Sequence, residues 1–200
     1  PFPGQKLPLH MTYLPGAREL LVSRTGPGEH SLDVLDLAGF PEMTVTRSSP
    51  VDFPPNGLVT HPSGATFGLL GQHGQFAMVT HDGLERLYSA FLGLRSHHVP
   101  MVLYAWHASG TSKLYASVLV YPLVEIDMDT RRLRWSPETF GGGQLSGQAG
   151  LTELYQTDML LDRVNVLSIE SLKVVRTLEL DYTPRAVQVD ATRDLLMVGD

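Results

Sequence analysis

The stretch VNVLSIESLKVVRT, Val164–Thr177, decides the fold. Val164 and Val166 are apolar at alternate positions, which marks a strand with one buried face, since successive side chains of an extended chain point to opposite sides. A short polar turn follows, and VVRT resumes the extended pattern. The same strand, tight turn, strand arrangement occurs in LDVLDLAGFPEMTV from Leu32, FAMVTHDGLERLYS from Phe76 and LVEIDMDTRRLRWS from Leu123, so the starts lie 44, 47 and 41 residues apart.

A second set of segments falls between these in phase: TYLPGARELLVS from Thr12, VTHPSGATFGLL from Val59, YAWHASGTSKLYAS from Tyr104 and VQVDATRDLLMVGD from Val187. These too alternate and turn. The repeating unit is therefore four antiparallel strands, and its period is that of a β-propeller blade, about 40 to 50 residues. Clusters of Gly, Pro, Asn, Asp and Ser, such as TGPGEH, DFPPNG and HASGTS, punctuate the strands. DGLERLYSAFLGL, Asp82–Leu94, carries helical spacing at Leu84, Leu87, Tyr88 and Phe91, but its phase in the repeat makes it a turn and an outermost strand. The expected fold is all-β, one propeller domain over 1–200 with blades at 7–50, 51–93, 99–137 and 138–180 and half a blade at 181–200. Four and a half blades leave the ring open, because a blade buries its faces only against neighbours. With an opening PFPGQK that shows neither an initiator Met nor a signal peptide, the chain is expected to be part of a longer one.

Composition narrows the function. Fifteen basic against 21 acidic residues, scattered without a Lys or Arg run, give a net charge of −6 and disfavour nucleic acid as a partner. The absence of cysteine removes disulfides, thiolate metal sites and cysteine nucleophiles while leaving the compartment open. The longest apolar stretch, Leu114–Val124, falls short of the roughly 20 residues of a spanning helix, so no membrane span is expected.

From Val164 onward the residues resemble the YVTN-type repeat, in which a V-x-V-x-D/S strand, a polar turn and a VVxTI-like strand lead through TPRAVAVSPDG to an LYV strand. Val164, Val166, Ser168, Val174, Val175, Pro184, Arg185, Ala186, Val187, Asp190 and Leu195–Val198 carry the likeness. Ala191–Asp194 replaces the usual Pro-Asp-Gly, and Val198–Asp200 the usual end of the last strand. About a fifth of the chain matches, and no WD-repeat signature is present. The resemblance implies a bacterial or archaeal propeller, often exported to the periplasm or the cell exterior. It implies no activity, because propellers host many functions.

Candidate site residues follow from position in the blade. His73, His97, Tyr121, Asp162 and Arg185 all fall on connections expected to gather at one mouth of the propeller channel. His61, His81 and His107 fall in turns at the opposite end, where a polar turn residue is the default. Glu125, Asp127 and Asp129 alternate as in a calcium loop but lack its Gly and distal Glu, so they are expected on a solvated outer face. GGGQLSG, Gly141–Gly147, has no following Lys or helix for a phosphate loop, and Ser146 lacks a nucleophile frame. No catalytic residue, metal site or cofactor is assigned. The favoured function is a non-catalytic scaffold that binds protein partners, or a small polar ligand at the channel mouth, within a bacterial envelope-associated assembly. The alternative is a lactonase-like hydrolase or lyase with a divalent metal in the channel. The proposed mouth holds one carboxylate beside an arginine and two histidines, and a guanidinium repels a divalent cation.

Overall fold

Alternating apolar side chains produce strands throughout. The computed structural model describes residues 7–14, 17–61, 63–71, 73–91, 102–107, 111–118, 122–138, 142–147, 152–190 and 192–200, and every regular element among them is extended. The chain divides into two compact units, Pro1–Leu94 and Arg95–Asp200.

The first unit holds two antiparallel sheets: β1 (Leu7–Leu14), β2 (Glu19–Gly26), β3 (Glu29–Asp36) and β4 (Thr44–Val51), then β5 (Pro55–Thr60), β6 (Thr66–Gly71), β7 (Gln75–Thr80) and β8 (Arg86–Phe91), each paired in chain order. The stretch with helical spacing is thus a turn followed by β8. Register places Leu21 opposite Val34 and Phe67 opposite Val79, so one face of each sheet is apolar. Those faces meet in a core of Leu14, Leu21, Leu32, Val34, Phe53, Phe67, Leu69, Ala77, Val79 and Leu84.

In the second unit β9 (Val102–His107), β10 (Lys113–Val118), β11 (Val124–Asp127) and β12 (Arg132–Trp135) form one sheet, and β13 (Leu145–Ser146), β14 (Glu153–Asp158), β15 (Arg163–Ser168) and β16 (Val174–Glu179) another. β17 (Ala186–Asp190) and β18 (Leu195–Gly199) form a two-stranded sheet. Tyr115, Leu123, Leu145, Leu154, Leu167 and Leu172 build the core between the two larger sheets. On the alternating strands Val34, Met78, Val124, Ile126, Val187 and the expected pair Val164 and Val166 are buried, whereas Leu196 is only half-buried. Its strand, β18, pairs with β17 alone among the described strands.

The glycine-rich stretch has a packing role. A Cβ on Gly143 would lie 2.1 Å from the Thr157 hydroxyl, so only glycine lets this segment approach β14. Beyond it, Gln144 Oε1 and Ser146 Oγ accept the amides of Val187 and Val189, each at 3.0 Å, satisfying donors on β17 that no strand pairs.

The tight turns that are described in full each contain one left-handed residue. Leu84, Arg131 and Leu172 hold that role between the third and fourth strands of three sheets, at φ of 51°, 60° and 55°. A branched side chain resists this conformation by roughly 1 kcal/mol. Leu84 and Leu172 offset the cost by burying their side chains in the two cores.

Candidate functional site

The turn between β14 and β15 and the connection from β16 to β17 lie at one end of their sheet. Asp158, the last residue of β14, is buried and fixes the turn: its Oδ1 accepts the Leu160 amide at 3.2 Å and its Oδ2 accepts Arg163 Nε at 3.2 Å. Asp162 takes the left-handed position at φ 46°. Its carbonyl accepts the Leu180 amide at 2.9 Å, and its carboxylate accepts the Thr183 hydroxyl at 2.6 Å. Thr183 precedes Arg185 by two residues, and the Arg185 amide donates to the Gly199 carbonyl at 2.8 Å. The result is a tied pair of loops with Arg185 exposed and with Leu160 and Leu161 at 61% and 54% exposure on the tip.

Asp162 and Arg185 are therefore brought onto connected loops, through Thr183. His73 lies in the first unit, on the β6–β7 turn, the counterpart of the β14–β15 turn; its amide donates to Gln75 Oε1 at 3.1 Å and its Nδ1 is buried without a partner. His97 and Tyr121 lie outside the described residues. A cavity of about 370 Å³ in the first unit is lined by Leu32, Phe53, Leu69, Leu84, Glu85 and Arg86 among others, and none of the five expected residues borders it. Among the described residues no three His, Asp or Glu side chains are grouped as metal ligands would be.

Two polar clusters were not expected from sequence. Glu125 is not on a solvated face; it is 5% exposed, because Arg134 forks onto it at 3.1 and 2.7 Å and the Tyr115 hydroxyl donates to it at 2.9 Å. Burial, then that hydrogen bond, raises the Tyr115 phenol far above its ordinary range. Asp127 instead caps its turn, accepting the amides of Asp129 and Thr130. His81 is likewise more than a polar turn residue: its Nε2 lies 2.6 Å from Glu19, its ring meets Phe67 edge-on, and Arg47 bonds both Glu19 and the His81 carbonyl. Both clusters join residues far apart in the chain, and neither has a local signal.

Comparison with solved structures gives the architecture. The Cps50 (Swd1) beta-propeller domain of Myceliophteria thermophila superposes with a TM-score of 0.74 at 11% identity, over 99% of this chain and 64% of that one. The fold is a β-propeller. A chain of the nidogen/laminin complex matches at a TM-score of 0.71 and 18% identity over 98% of this chain and 72% of its own. Kuenenia stuttgartiensis hydrazine synthase matches at 0.71 and 14%, over 91% and 51%. The chain thus spans less than two thirds of the length of the Swd1 domain and about half of the hydrazine synthase chain. No family model matches the sequence, and no curated protein matches it. No helix among the described residues is long and apolar enough to cross a membrane.

Proposed function

We infer that this propeller is a non-catalytic binding module, presenting its loops to a protein partner in a bacterial envelope-associated assembly, in the periplasm or outside the cell. The observation that carries this is the tied loop pair of the second unit. Two adjacent leucines are held in solvent by a turn whose carboxylates are all engaged, and the loop tied to that turn carries the exposed Arg185. Pre-ordered apolar tips beside arginine suit a protein surface, since little entropy is lost on docking and arginine and apolar anchors carry interface energy. The bacterial and exported setting rests on the YVTN-like letters from Val164 onward. At these identities the solved structures support the propeller alone.

A photo-crosslinker in place of Leu161 tests the binding role in cells, with one at Val175 as control. A discrete protein adduct from Leu161, lost in Arg185→Ala, is expected. Metal analysis and titration with Ca²⁺, Zn²⁺ and Mn²⁺ test the hydrolase alternative. Stoichiometric metal lost on substituting His97 or Asp162 would overturn the binding role, as would the absence of any adduct.

A further inference from the structure

The cavity of the first unit is bordered by β3 and β4 of one sheet and by β6 and β7 of the other. Both of these sheets have four paired strands. The floor of the cavity is apolar: Leu32, Phe53, Leu69, Ala77, Val79 and Leu84 border it, and none of them is more than 6% exposed. All six belong to the core, and protein interiors are packed closely enough that spaces larger than a water molecule are few. At about 370 Å³ this space instead falls within the range of small-molecule sites, roughly 300–1,000 Å³.

Two opposite charges, Glu85 and Arg86, border the same space together with Ser49 of β4. Arg86 is held by Asp52, which accepts one bond from Nη1 at 3.0 Å and one from Nη2 at 2.9 Å. A guanidinium has five N–H donors, so Asp52 leaves three of them for another acceptor. The backbone of Glu85 is tied to Thr80: its amide donates to the Thr80 hydroxyl at 3.0 Å, and its carbonyl accepts the Thr80 amide at 2.8 Å. Its carboxylate has no partner among the described residues. The side chain folds over Gly83, which also borders the cavity and where an added Cβ would meet the Glu85 Cγ at 3.0 Å. An unpaired carboxylate and a part-used guanidinium, adjacent in the chain and anchored at the backbone and by Asp52 respectively, therefore stand at the edge of one apolar floor.

We propose that this cavity binds a free α-amino acid with a bulky apolar side chain. The ligand's carboxylate takes the remaining donors of Arg86, its ammonium meets Glu85, and its side chain enters the floor of Leu32, Phe53 and Leu69. Burial of that side chain supplies the attraction, and the two charges supply the selection. A planar guanidinium matches the geometry of a carboxylate. A carboxylic acid or an amine alone leaves one of the two charges unmet, and a residue inside a peptide carries neither backbone charge. Because the zwitterion is neutral overall, Asp52 keeps its own bonds to Arg86 and the balance of charge at the rim is unchanged.

Calorimetric titration of the 200-residue protein with L-phenylalanine is the test, beside 3-phenylpropionate and 2-phenylethylamine, which each lack one of the two charges. Saturable one-to-one binding of phenylalanine is expected, about tenfold tighter than either of the other compounds. Slowed amide exchange across residues 49–51 and 83–86 should accompany it. Arg86→Leu should weaken phenylalanine about tenfold and leave phenylethylamine unchanged, whereas Glu85→Gln should weaken phenylalanine similarly and leave phenylpropionate unchanged. Both side chains are exposed, so both variants are expected to keep the native circular dichroism. No saturation by about 10 mM phenylalanine, or equal binding of all three compounds, would overturn the proposal. Binding that both variants leave unchanged would overturn it as well, by placing the ligand elsewhere.

Discussion

Replacing Arg134 with Leu separates an inter-sheet clamp from a surface ion pair. The wild-type guanidinium makes two bonds to Glu125 and two to carbonyls of the β15–β16 turn. Removing it leaves Glu125, 5% exposed, with the Tyr115 hydroxyl and with Lys113 at 3.5 Å. Stripping one partner from a fully buried pair costs about 3–5 kcal/mol, and the 38% exposure of the Arg134 side chain puts this case at the lower end, near 3 kcal/mol. Both tryptophans, Trp106 and Trp135, lie in the second unit, so their emission during urea unfolding reports that unit selectively. With a slope of about 2 kcal/mol per molar, the midpoint should fall by about 1.5 M. Glu125→Gln combined with Arg134→Leu should cost clearly less than the two single changes summed, because the second change removes the stranded carboxylate. A midpoint shift under about 0.3 M, or simple additivity, would show that the cluster is a solvated pair with no clamping role.

Leu172→Ala should lower stability by about 3 kcal/mol in the same assay, since the side chain is fully buried. Leu172→Gly should be no worse than the alanine variant despite glycine's usual penalty of about 1 kcal/mol, because the site has φ 55°; a clearly worse glycine variant would refute the strain argument. Tyr115 bears on pH. Its phenol is raised in the fold, so its contribution is complete below the unfolded value, near 10, and declines as pH rises beyond it. The alkaline loss of stability between about pH 10 and 11 should shrink in Tyr115→Phe, with Tyr155, raised by burial and by its bond to Glu153, supplying a remainder. An unchanged slope would contradict the assignment.

What sequence reveals here is whatever one strand and one turn encode by themselves. Alternation at Val164 and Val166 exposes the buried face, and periodic turn residues expose the four-stranded unit, because both depend on neighbours a few residues away. The loop positions of Asp162 and Arg185 were legible for the same reason. The hydrogen bond that ties them, from Thr183 to Asp162, was not, since it depends on how the β16–β17 connection passes the turn. Glu125 and His81 were misjudged on one principle: a charged residue near a polar turn looks solvated until the partner that covers it is known, and Arg134 and Glu19 come from other strands.

The arginine clamp shows where such legibility ends. Arg47, Arg134 and Arg176 stand 15, 11 and 12 residues after the starts of their repeats, so aligning the letters places them in different columns. The spread has a structural cause. The β3–β4 connection is longer than the other two, and register shifts interrupt β3–β4 pairing at Val34/Leu35 and β15–β16 pairing at Val166/Leu167. A bulge adds a residue to one strand without moving the position it faces. Only cross-strand register, which sets them opposite Val34, Glu125 and Val166, restores the equivalence. The groups recognised by Arg47 and Arg134 are backbone carbonyls, which every residue carries, so no side-chain letter in the opposing turn records the contact. A repeat can therefore keep one physical device at one place in two of its sheets, at Arg47 and Arg134, while the string that encodes it shifts by several residues and its counterpart leaves no side-chain signature.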